Sequence, residues 1–186
     1  MASSFADQIP VIVYLPQRSA PATMLDVGKG LGKHGFLAHE YTGISYDTRP
    51  DPSKMVASQS RLRIDAVEAE TTFLWPHLSQ FYRKVYVGRI EDLYLKLPQY
   101  DVVLMADVIE HLRSEDARAI VKHFLDVGSK VIISTPKTHF EQYLFESQFE
   151  EHLSHWRAED FRMANFNLVN FAQGTEYDRH HSGRCS

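Results

Sequence analysis

Residues 23–35 read TMLDVGKGLGKHG, and this stretch decides the fold of the chain. Met24, Leu25 and Val27 predict a short buried strand. Four glycines mark the turn that follows this strand: Gly28, Gly30, Gly32 and Gly35. Glycine is needed where the backbone adopts a positive φ or where a ligand contacts the backbone directly. A glycine turn between a strand and a helix therefore predicts a cradle for a nucleotide-like cofactor.

Two kinds of cofactor compete for such a turn, and the neighbouring residue types discriminate between them. The last three glycines fit the G-x-G-x-x-G spacing of a dinucleotide fingerprint. Asp26 argues against a dinucleotide, because its carboxylate at the strand end would repel a pyrophosphate. The same carboxylate would attract a cofactor that carries an amino group and a sulfonium charge. A dehydrogenase would also need an acid about 20 residues past the glycines at a strand end, whereas Asp47 and Asp51 lie in a predicted loop.

Residues 25–32, Leu-Asp-Val-Gly-Lys-Gly-Leu-Gly, resemble the first motif of the class I S-adenosylmethionine (SAM) dependent methyltransferases. This resemblance implies a doubly wound, Rossmann-like α/β fold with SAM as the cofactor. In that family the acid lies near the methionine end of SAM, and the glycines lie under its ribose and methionine. The implied cofactor residues in this stretch are Asp26, Gly28, Lys29, Gly30 and Gly32. Lys29 departs from the family, which has a small residue between the first two glycines.

The alternation of elements after the glycine turn predicts a doubly wound parallel sheet with ligands at the carboxyl ends of its strands. Further strands are predicted at 62–68, 85–87, 101–106 and 130–134. Helices are predicted at 33–41, 71–81 and 115–127. The apolar run at 9–15, broken by Pro10 and closed by Pro16, is expected to pack over the sheet edge or the cofactor mouth.

Two regions flank this predicted sheet without a clear apolar period. Residues 42–60 are polar and predict a loop of about 19 residues, for which a gate over the active site and a floppy insertion are equally good interpretations. A helix at 157–164 and a sixth strand at 165–171 are predicted, but a seventh strand is not found. The sheet is therefore expected to be truncated at its C-terminal edge. An open edge favours pairing with a second copy, so a homodimer is expected.

Two strand ends extend the predicted cofactor site. Glu68 ends the second strand, where an acid accepts hydrogen bonds from the ribose hydroxyls in nucleotide-binding α/β folds. Gly88, Arg89 and Ile90 form the turn after the third strand, and the family resemblance implies an adenine contact there. Arg89 stands where that family often has an acid. Ile90 is placed to pack on the adenine ring.

The end of the fourth strand carries the candidate chemistry. Ala106 and Asp107 end this strand and complete the predicted cofactor set. Glu110 and His111 follow at once, so we expect them to face the same crevice as the glycine turn. A histidine held there can act as general base toward a substrate hydroxyl. His111 and Glu110 are therefore the predicted catalytic residues.

A longer series of motifs resembles the small-RNA 3′-terminal 2′-O-methyltransferases. The series reads Asp-Val-Ile-Glu-His at 107–111, Ser-Thr-Pro at 134–136, Glu-His-Leu-Ser-His-Trp at 151–156 and Glu-Asp-Phe at 159–161. In that family the first acid, the Glu, its neighbouring His and the later His bind a divalent ion. The metal ligands implied here are Asp107, Glu110, His111 and His152. The first of them is one methylene shorter than the Glu that the family has.

Two carboxylates and two imidazoles suit Mg, Mn, Fe or Zn, and the set does not choose among these metals. A bound ion would grip one or two substrate hydroxyls and lower the pKa of the one to be methylated. The alternative is that Glu110 caps the following helix and that His152 is a surface residue. Similar elements also occur in methyltransferases that act on ubiquinone precursors and sugars.

The size and charge of the chain favour a small-molecule substrate. Its 186 residues carry a formal net charge of −4, which gives no general attraction to nucleic acid. We also find no added RNA-binding domain and no clear basic stripe. We therefore expect O-methylation of a hydroxyl on a sugar or a natural-product intermediate. The alternatives are an RNA 2′-O-methyltransferase and a non-catalytic SAM-fold binding protein.

The sequence predicts one methyltransferase domain over residues 1–175 and a polar tail at 176–186. No apolar run approaches the roughly 20 residues that cross a bilayer, and the N-terminus lacks the regions of a secretory signal. We therefore expect a cytoplasmic protein without a membrane partner. Cys185 is the single cysteine, so an intrachain disulfide is excluded.

Overall fold

The computed structural model describes residues 8–43, 62–136, 151–157 and 159–161. Within these residues, five parallel strands form one sheet in the order β3-β2-β1-β4-β5. The strands are β1 (Thr23–Val27), β2 (Arg63–Glu68), β3 (Lys84–Val87), β4 (Val102–Ala106) and β5 (Lys130–Ser134). The five predicted strands in this part of the chain are confirmed, with bounds that differ by one residue at most. The doubly wound α/β fold is confirmed with them.

The strand order reverses direction at β1, and this reversal positions the site. From β1 the chain winds outward through β2 to β3, and it then returns to the other side of β1 to form β4 and β5. Val27 lies opposite Val67 on one neighbour and opposite Met105 on the other, so the three central strands end at one level. Ligands of open α/β sheets bind at such a switch point, at the carboxyl ends of the strands.

Four helices accompany the sheet within the described residues. They are α1 (Ile9–Ser19), α2 (Lys33–Gly43), α3 (Ile90–Leu93) and α4 (Ser114–Asp126). Alternate residues of the central strands enter two apolar clusters, since side chains of a strand point to opposite faces. Leu25, Val103 and Met105 belong to one cluster, together with Ile120 and Phe124 from α4. The other cluster holds Met24, Ile64 and Leu104 with residues of α1 and α2, namely Ile12 and Ala38.

The helix α1 shows that the prolines do not break the apolar run at 9–15. Pro10 falls in the first helical turn, where its missing N–H needs no partner. Pro16 lies inside the helix and removes one intrahelical hydrogen bond. The helix nevertheless continues, and the Ala20 N–H donates to the Pro16 carbonyl at 3.1 Å just after it. Burial of Ile12 on the same sheet face as α2 provides the tertiary contact that supports this helix.

The predicted helix at 71–81 is wrong. The chain instead forms two 3-10 turns, Thr71–Phe73 and Pro76–Gln80. A proline disfavours helical backbone at the residue before it, and Trp75 before Pro76 is extended with ψ of 146°. The two turns are therefore separate short segments. Both contact the glycine turn, because Lys29 Nζ donates to the Phe73 carbonyl at 2.9 Å and Leu78 would be 2.6 Å from a Cβ added at Gly32.

The remaining predictions have mixed outcomes. The helices predicted at 33–41 and 115–127 are confirmed within two residues as α2 and α4. The loop at 42–60, the sixth strand at 165–171 and the tail at 176–186 lie almost wholly outside the described residues. The expected truncation of the sheet therefore remains a prediction. The homodimer also remains a prediction. Among the described residues, no helix has the length and apolar character needed to span a bilayer.

Candidate active site

The glycine turn between β1 and α2 has the backbone geometry that its sequence predicts. Gly28 and Gly30 have φ of 67° and 51°, values that side chains rarely tolerate. The Gly28 N–H donates to the Val67 carbonyl of β2 at 2.9 Å, and a Cβ at Gly28 would lie 2.6 Å from Val108 Cγ2. A Cβ added at Gly30 would meet no described atom within 4 Å. The turn is therefore closed on the Val108 side and open above Gly30, as a cofactor cradle must be.

Glu68 lies against this turn at the end of β2. Its Oε2 accepts a hydrogen bond of 2.8 Å from the Gly30 N–H, and its Oε1 accepts one of 2.9 Å from the Glu70 N–H. A carboxylate has about four acceptor positions, so Glu68 can still accept a hydrogen bond from a hydroxyl. Burial raises the pKa of Glu68, and hydrogen bonds from the backbone N–H groups of Glu70, Gly30 and Ala69, together with the charge of Lys29, act in the opposite direction. This geometry fits the predicted role of Glu68 toward a ribose.

Asp26 lies beneath the glycine turn rather than beside its open side. The residue is 1% exposed, and its Oδ2 accepts a hydrogen bond of 2.5 Å from the Tyr82 hydroxyl. Burial raises the pKa of Asp26 to about 7, while the bond from Tyr82 and the charge of Lys29 lower it. Asp26 is thus placed to support the glycine turn and to act on a cofactor through its charge. Its contact with a cofactor stays a prediction.

Lys29 is an unusual residue in this cradle because its whole side chain is buried, with 3% exposure. Its Nζ donates to the Gly30 carbonyl at 3.0 Å and to the Phe73 carbonyl at 2.9 Å. Burial lowers the pKa of Lys29, and the charges of Glu68 and Asp26 raise it. The ammonium therefore ties the glycine turn to the segment that follows β2, and it lies within electrostatic range of both acids.

The three cofactor residues predicted in the turn after β3 have different environments. Gly88 has φ of 140°, and its N–H donates to the Glu68 carbonyl at 2.9 Å, which fixes this turn beside β2. The Arg89 side chain is half exposed and forms an ion pair with Glu91 at the start of α3. Ile90 is 4% exposed and belongs to the core cluster. An adenine contact by Arg89 or Ile90 stays a prediction.

Beyond β4, three of the predicted metal ligands come together. One ligand atom each from Glu110, His111 and His152 lies within 4.8 Å of the other two. Glu110 is 3% exposed, and its Oε2 has no hydrogen-bond partner among the described residues. Burial raises the pKa of Glu110 to about 8. A buried acceptor without a partner beside two imidazoles is a donor set that fits a divalent ion.

The orientation of His111 also fits a metal ligand. Its Nδ1 lies 3.1 Å from the Glu151 carbonyl, which accepts only if Nδ1 carries the proton. The other ring nitrogen, Nε2, then has its lone pair available. Metal-bound histidines commonly donate their second ring nitrogen to a carbonyl in this way. The His111 and His152 rings lie edge to face at 5.0 Å between centroids.

The segment at 151–157 is held on the end of β4 by a buried tryptophan. Trp156 Nε1 donates to the Ile109 carbonyl at 3.2 Å and to Ser154 Oγ at 2.7 Å. The Leu153 and Ser154 N–H groups both donate to the Glu110 carbonyl, at 2.8 and 3.0 Å. These contacts bring His152 to Glu110 although the two residues are far apart in sequence. The Glu-His-x-x-x-Trp motif thus has a structural explanation.

Asp107 is not among the three residues whose ligand atoms lie within 4.8 Å of one another, although its charge acts on Glu110, and its role as a metal ligand stays a prediction. Its φ is 53°, and its Oδ1 accepts a hydrogen bond of 3.2 Å from Ser134 Oγ. The next residue, Thr135, has a buried hydroxyl. The Thr135 hydroxyl lies close enough to Glu110 to lower the pKa of that carboxyl slightly against the effect of burial. The Ser-Thr-Pro motif therefore touches both acids.

No family model matches the chain, and no curated protein matches it. Solved structures do match. The small RNA methyltransferase HEN1 aligns with a TM-score of 0.57 at 19% identity, over 88% of this chain and 22% of that chain. The methyltransferase domains of bacterial CtHen1-C and CtHen1-CN align at TM-scores of 0.53 and 0.52, with 18% and 19% identity over 84% of this chain. The chain covers 78% and 80% of those two domains. It has the class I methyltransferase fold.

At these identities the likeness concerns the fold, and the chain spans about a fifth of the HEN1 protein. In this class I methyltransferase fold, Gly28, Glu68 and Asp107 end or follow β1, β2 and β4 at the switch point. Sequence reasoning missed Tyr82 beneath Asp26 and Phe73 as the partner of Lys29. Neither residue belongs to a motif, so no sequence signal marked them. The Ser-Thr-Pro and Trp156 positions did stand out through the resemblance.

Proposed function

We propose that the chain is a SAM-dependent methyltransferase that acts on a hydroxyl with the help of a divalent metal ion. The observation that carries the proposal is the meeting of Glu110, His111 and His152 in a class I methyltransferase fold, just after β4 and Val108, which lies against Gly28 of the glycine turn. SAM would supply the methyl group, which passes from the sulfonium to an oxygen. A metal ion would supply a positive charge that makes a substrate hydroxyl more acidic.

The residues of the chain have separate tasks in this proposal. The glycine turn and Glu68 hold and orient the cofactor, since positioning accounts for much of the rate of such a displacement. Glu110, His111 and His152 hold the metal ion. His111 is also the candidate general base, but Nε2 cannot bind an ion and accept a proton at the same time. If a metal ion is bound, His111 would therefore act as a ligand. Without a metal ion, His111 could act as the general base.

The first candidate substrate is a small molecule with neighbouring hydroxyls, such as a sugar or natural-product intermediate. The net charge of −4 supports it, because an RNA substrate would meet an acidic protein. Two adjacent hydroxyls also suit a metal that has open coordination positions.

A specific observation favours a second candidate, the 3′-terminal ribose of an RNA. The series that resembles the small-RNA 2′-O-methyltransferases is spread over 107–161, yet its Glu-His, Ser-Thr and His-Trp elements meet at one place. The match to HEN1 at a TM-score of 0.57 is consistent with this reading. A terminal ribose offers the same pair of neighbouring hydroxyls as a sugar.

Calorimetric titration with S-adenosylhomocysteine (SAH) tests the cofactor, and NAD serves as the matched negative. We expect binding of SAH alone. Titration of chelated protein with Mn²⁺ then tests the metal, and His152→Ala should weaken that binding at least tenfold. His155→Ala is the control, because His155 is exposed on the same segment. Failure of a folded sample to bind SAH would overturn the proposal and favour a non-catalytic binding protein.

Transfer of a labelled methyl group separates the two substrates. The RNA arm uses a short single strand with an intact 3′ ribose and the same strand after periodate cleavage of its terminal diol. The small-molecule arm uses a free ribonucleoside and a simple sugar. Label in the intact RNA alone supports the second candidate. Label in the small molecules supports the first.

A further inference from the structure

Lys29 stands among two carboxylates and two carbonyls in the cofactor cradle, and the proposed chemistry gives it no task. Its Nζ donates to the carbonyls of Gly30 and Phe73, 44 residues apart from Lys29 in the second case. An ammonium has three donors, so these two bonds leave one proton without an acceptor among the described residues. A methionine of similar length could fill the same space, so packing alone does not require the charge.

Asp26 and Glu68 are the charges that this ammonium opposes. The attraction of Lys29 lowers the pKa of both carboxyls, against the larger effect of burial. Lys33 lies at the start of α2 and interacts with Asp107 instead. Within the described residues, Lys29 is therefore the cation that offsets the two acids at the glycine turn. All three side chains are buried, so water screens their charges little.

We propose that Lys29 sets the relative affinity of this cradle for the cationic sulfonium cofactor and for its neutral thioether product. The inference rests on the proposed function, because it concerns the two forms of the SAM cofactor. Methyl transfer removes the positive charge from sulfur, and the S–C electron pair remains on the sulfur atom. An ammonium in the cradle therefore destabilises the reactant form relative to the product form. Lys29 is therefore a positioning residue, because its charge acts on the cofactor through the electric field inside the cradle.

The size of the effect follows from Coulomb's law. Two like unit charges in a buried site with an effective dielectric constant near 20 change a binding constant by a factor on the order of ten. A purely structural role predicts a different pattern. If Lys29 only ties the turn to the segment after β2, its loss weakens SAM and SAH by the same factor. The ratio of the SAM and SAH affinities therefore distinguishes an effect of the Lys29 charge from a purely structural role.

The experiment measures the dissociation constants of SAM and SAH by calorimetry for the full chain and four variants. Lys29→Met removes the charge and keeps the stem, and we expect the affinity for SAM relative to SAH to rise about five- to tenfold. Lys29→Arg keeps the charge and should leave the ratio within about twofold. Glu68→Gln should shift the ratio the other way. Lys122→Met is the matched control, because Lys122 is 73% exposed on α4.

Each outcome decides the inference. A rise in the ratio for Lys29→Met and a fall for Glu68→Gln would support it. Equal changes in both affinities, or a ratio that does not move, would overturn it while leaving the proposed function intact. If Lys29→Met is unfolded by thermal melting, Lys29→Gln takes its place, because it removes the charge and keeps an N–H donor for the Gly30 and Phe73 carbonyls, and the same rise in the ratio is required of it. Wild-type protein that binds neither compound would overturn the proposed function and this inference together.

Discussion

The Tyr82 hydroxyl donates a hydrogen bond of 2.5 Å to Asp26 Oδ2 across 56 residues of sequence, directly beneath the glycine turn. Both side chains are buried. The Tyr82 ring also supports the turn from below, because a Cβ added at Gly35 would lie 2.2 Å from Tyr82 Cζ. The loop that forms the cofactor cradle therefore rests on a tyrosine and a carboxylate that share one hydrogen bond.

Tyr82→Phe should destabilise the fold and weaken SAH binding. The substitution keeps the ring under the turn but leaves Asp26 buried without its donor, and such losses cost about 1–3 kcal/mol. Urea unfolding at pH 8 measures the stability, and calorimetry measures SAH affinity. Tyr14→Phe is the control, since Tyr14 is an exposed tyrosine that accepts a bond from Arg18. Equal stability of the two variants would contradict the role given to Tyr82.

Stability should rise as the pH falls from about 8 to about 6.5. At lower pH His34 opposes this rise, because burial lowers its pKa to about 4 and the unfolded chain then binds the extra proton. Burial raises the pKa of Asp26 from 3.8 in an unfolded chain to about 7, so folding takes up a proton between these values. The free energy of unfolding therefore decreases as the pH increases through this interval, by an amount on the order of 1–3 kcal/mol. Glu110, with its pKa raised to about 8 by burial, contributes with the same sign.

Urea unfolding of the metal-free protein at several pH values measures this slope. Asp26→Asn removes the titration and retains an acceptor for Tyr82, so its slope should be flatter than that of the wild type. Asp101 and Asp160 have lowered pKa values because backbone donors favour their charged forms, and they act only at lower pH. A slope that Asp26→Asn leaves unchanged would assign the pH dependence to other groups.

Gly28→Ala and Gly30→Ala form a matched pair that separates backbone strain from crowding. Both positions have positive φ, so alanine should cost about 1–2 kcal/mol at each. Gly28→Ala should cost more, because its Cβ would lie 2.6 Å from Val108 Cγ2, whereas nothing lies within 4 Å at Gly30. Thermal unfolding measures the difference, and the Gly28→Ala/Val108→Ala double variant should recover part of it. Equal losses at the two glycines would contradict the crowding.

Trp156→Phe should weaken metal binding more than it weakens the fold. The indole N–H bonds both Ser154 and the Ile109 carbonyl, it reinforces the direct bond of 3.0 Å from Ser154 Oγ to that carbonyl, and these contacts place His152 beside Glu110. Phenylalanine keeps most of the apolar surface and loses the two bonds, which should cost about 1 kcal/mol of stability. We expect the Mn²⁺ affinity to fall about tenfold in calorimetry. Unchanged affinity would show that the segment needs no indole to hold the histidine.

The sequence predicts the structure well where the local pattern of apolar residues matches the position of a strand in the sheet. The strands β1 and β4 are short runs that are buried on both faces, β5 is an apolar run that is partly buried, and the bounds of all three could be predicted closely. The site residues Glu110, His111 and His152 could be predicted because a spaced series of motifs names them. The role of Asp107, the fourth predicted ligand, stays a prediction, although burial and, to a lesser extent, its charge raise the pKa of Glu110.

Other features depend on contacts that no local pattern records. The helix α1 forms despite Pro16 because Ile12 is buried on the sheet face, and tertiary burial outweighs the local cost of one lost hydrogen bond. The region of Pro76 shows the opposite case, since an apolar spacing there predicts a helix that the extended Trp75 interrupts. The partners of Lys29 and Asp26 lie 44 and 56 residues away, so only the fold brings them together.

The contacts of the Glu151–Trp156 segment with the end of β4 close a ring in the chain. His111 meets the Glu151 carbonyl across 40 residues, and the two histidines of the cluster stand at the junction of this ring. Joining the ends of such a ring has an entropic cost that grows only slowly with its length, by about 0.6 kcal/mol for each doubling. An ion bound by Glu110, His111 and His152 would thus act as a reversible cross-link. Removal of this ion by a chelator would increase the conformational entropy of the chain.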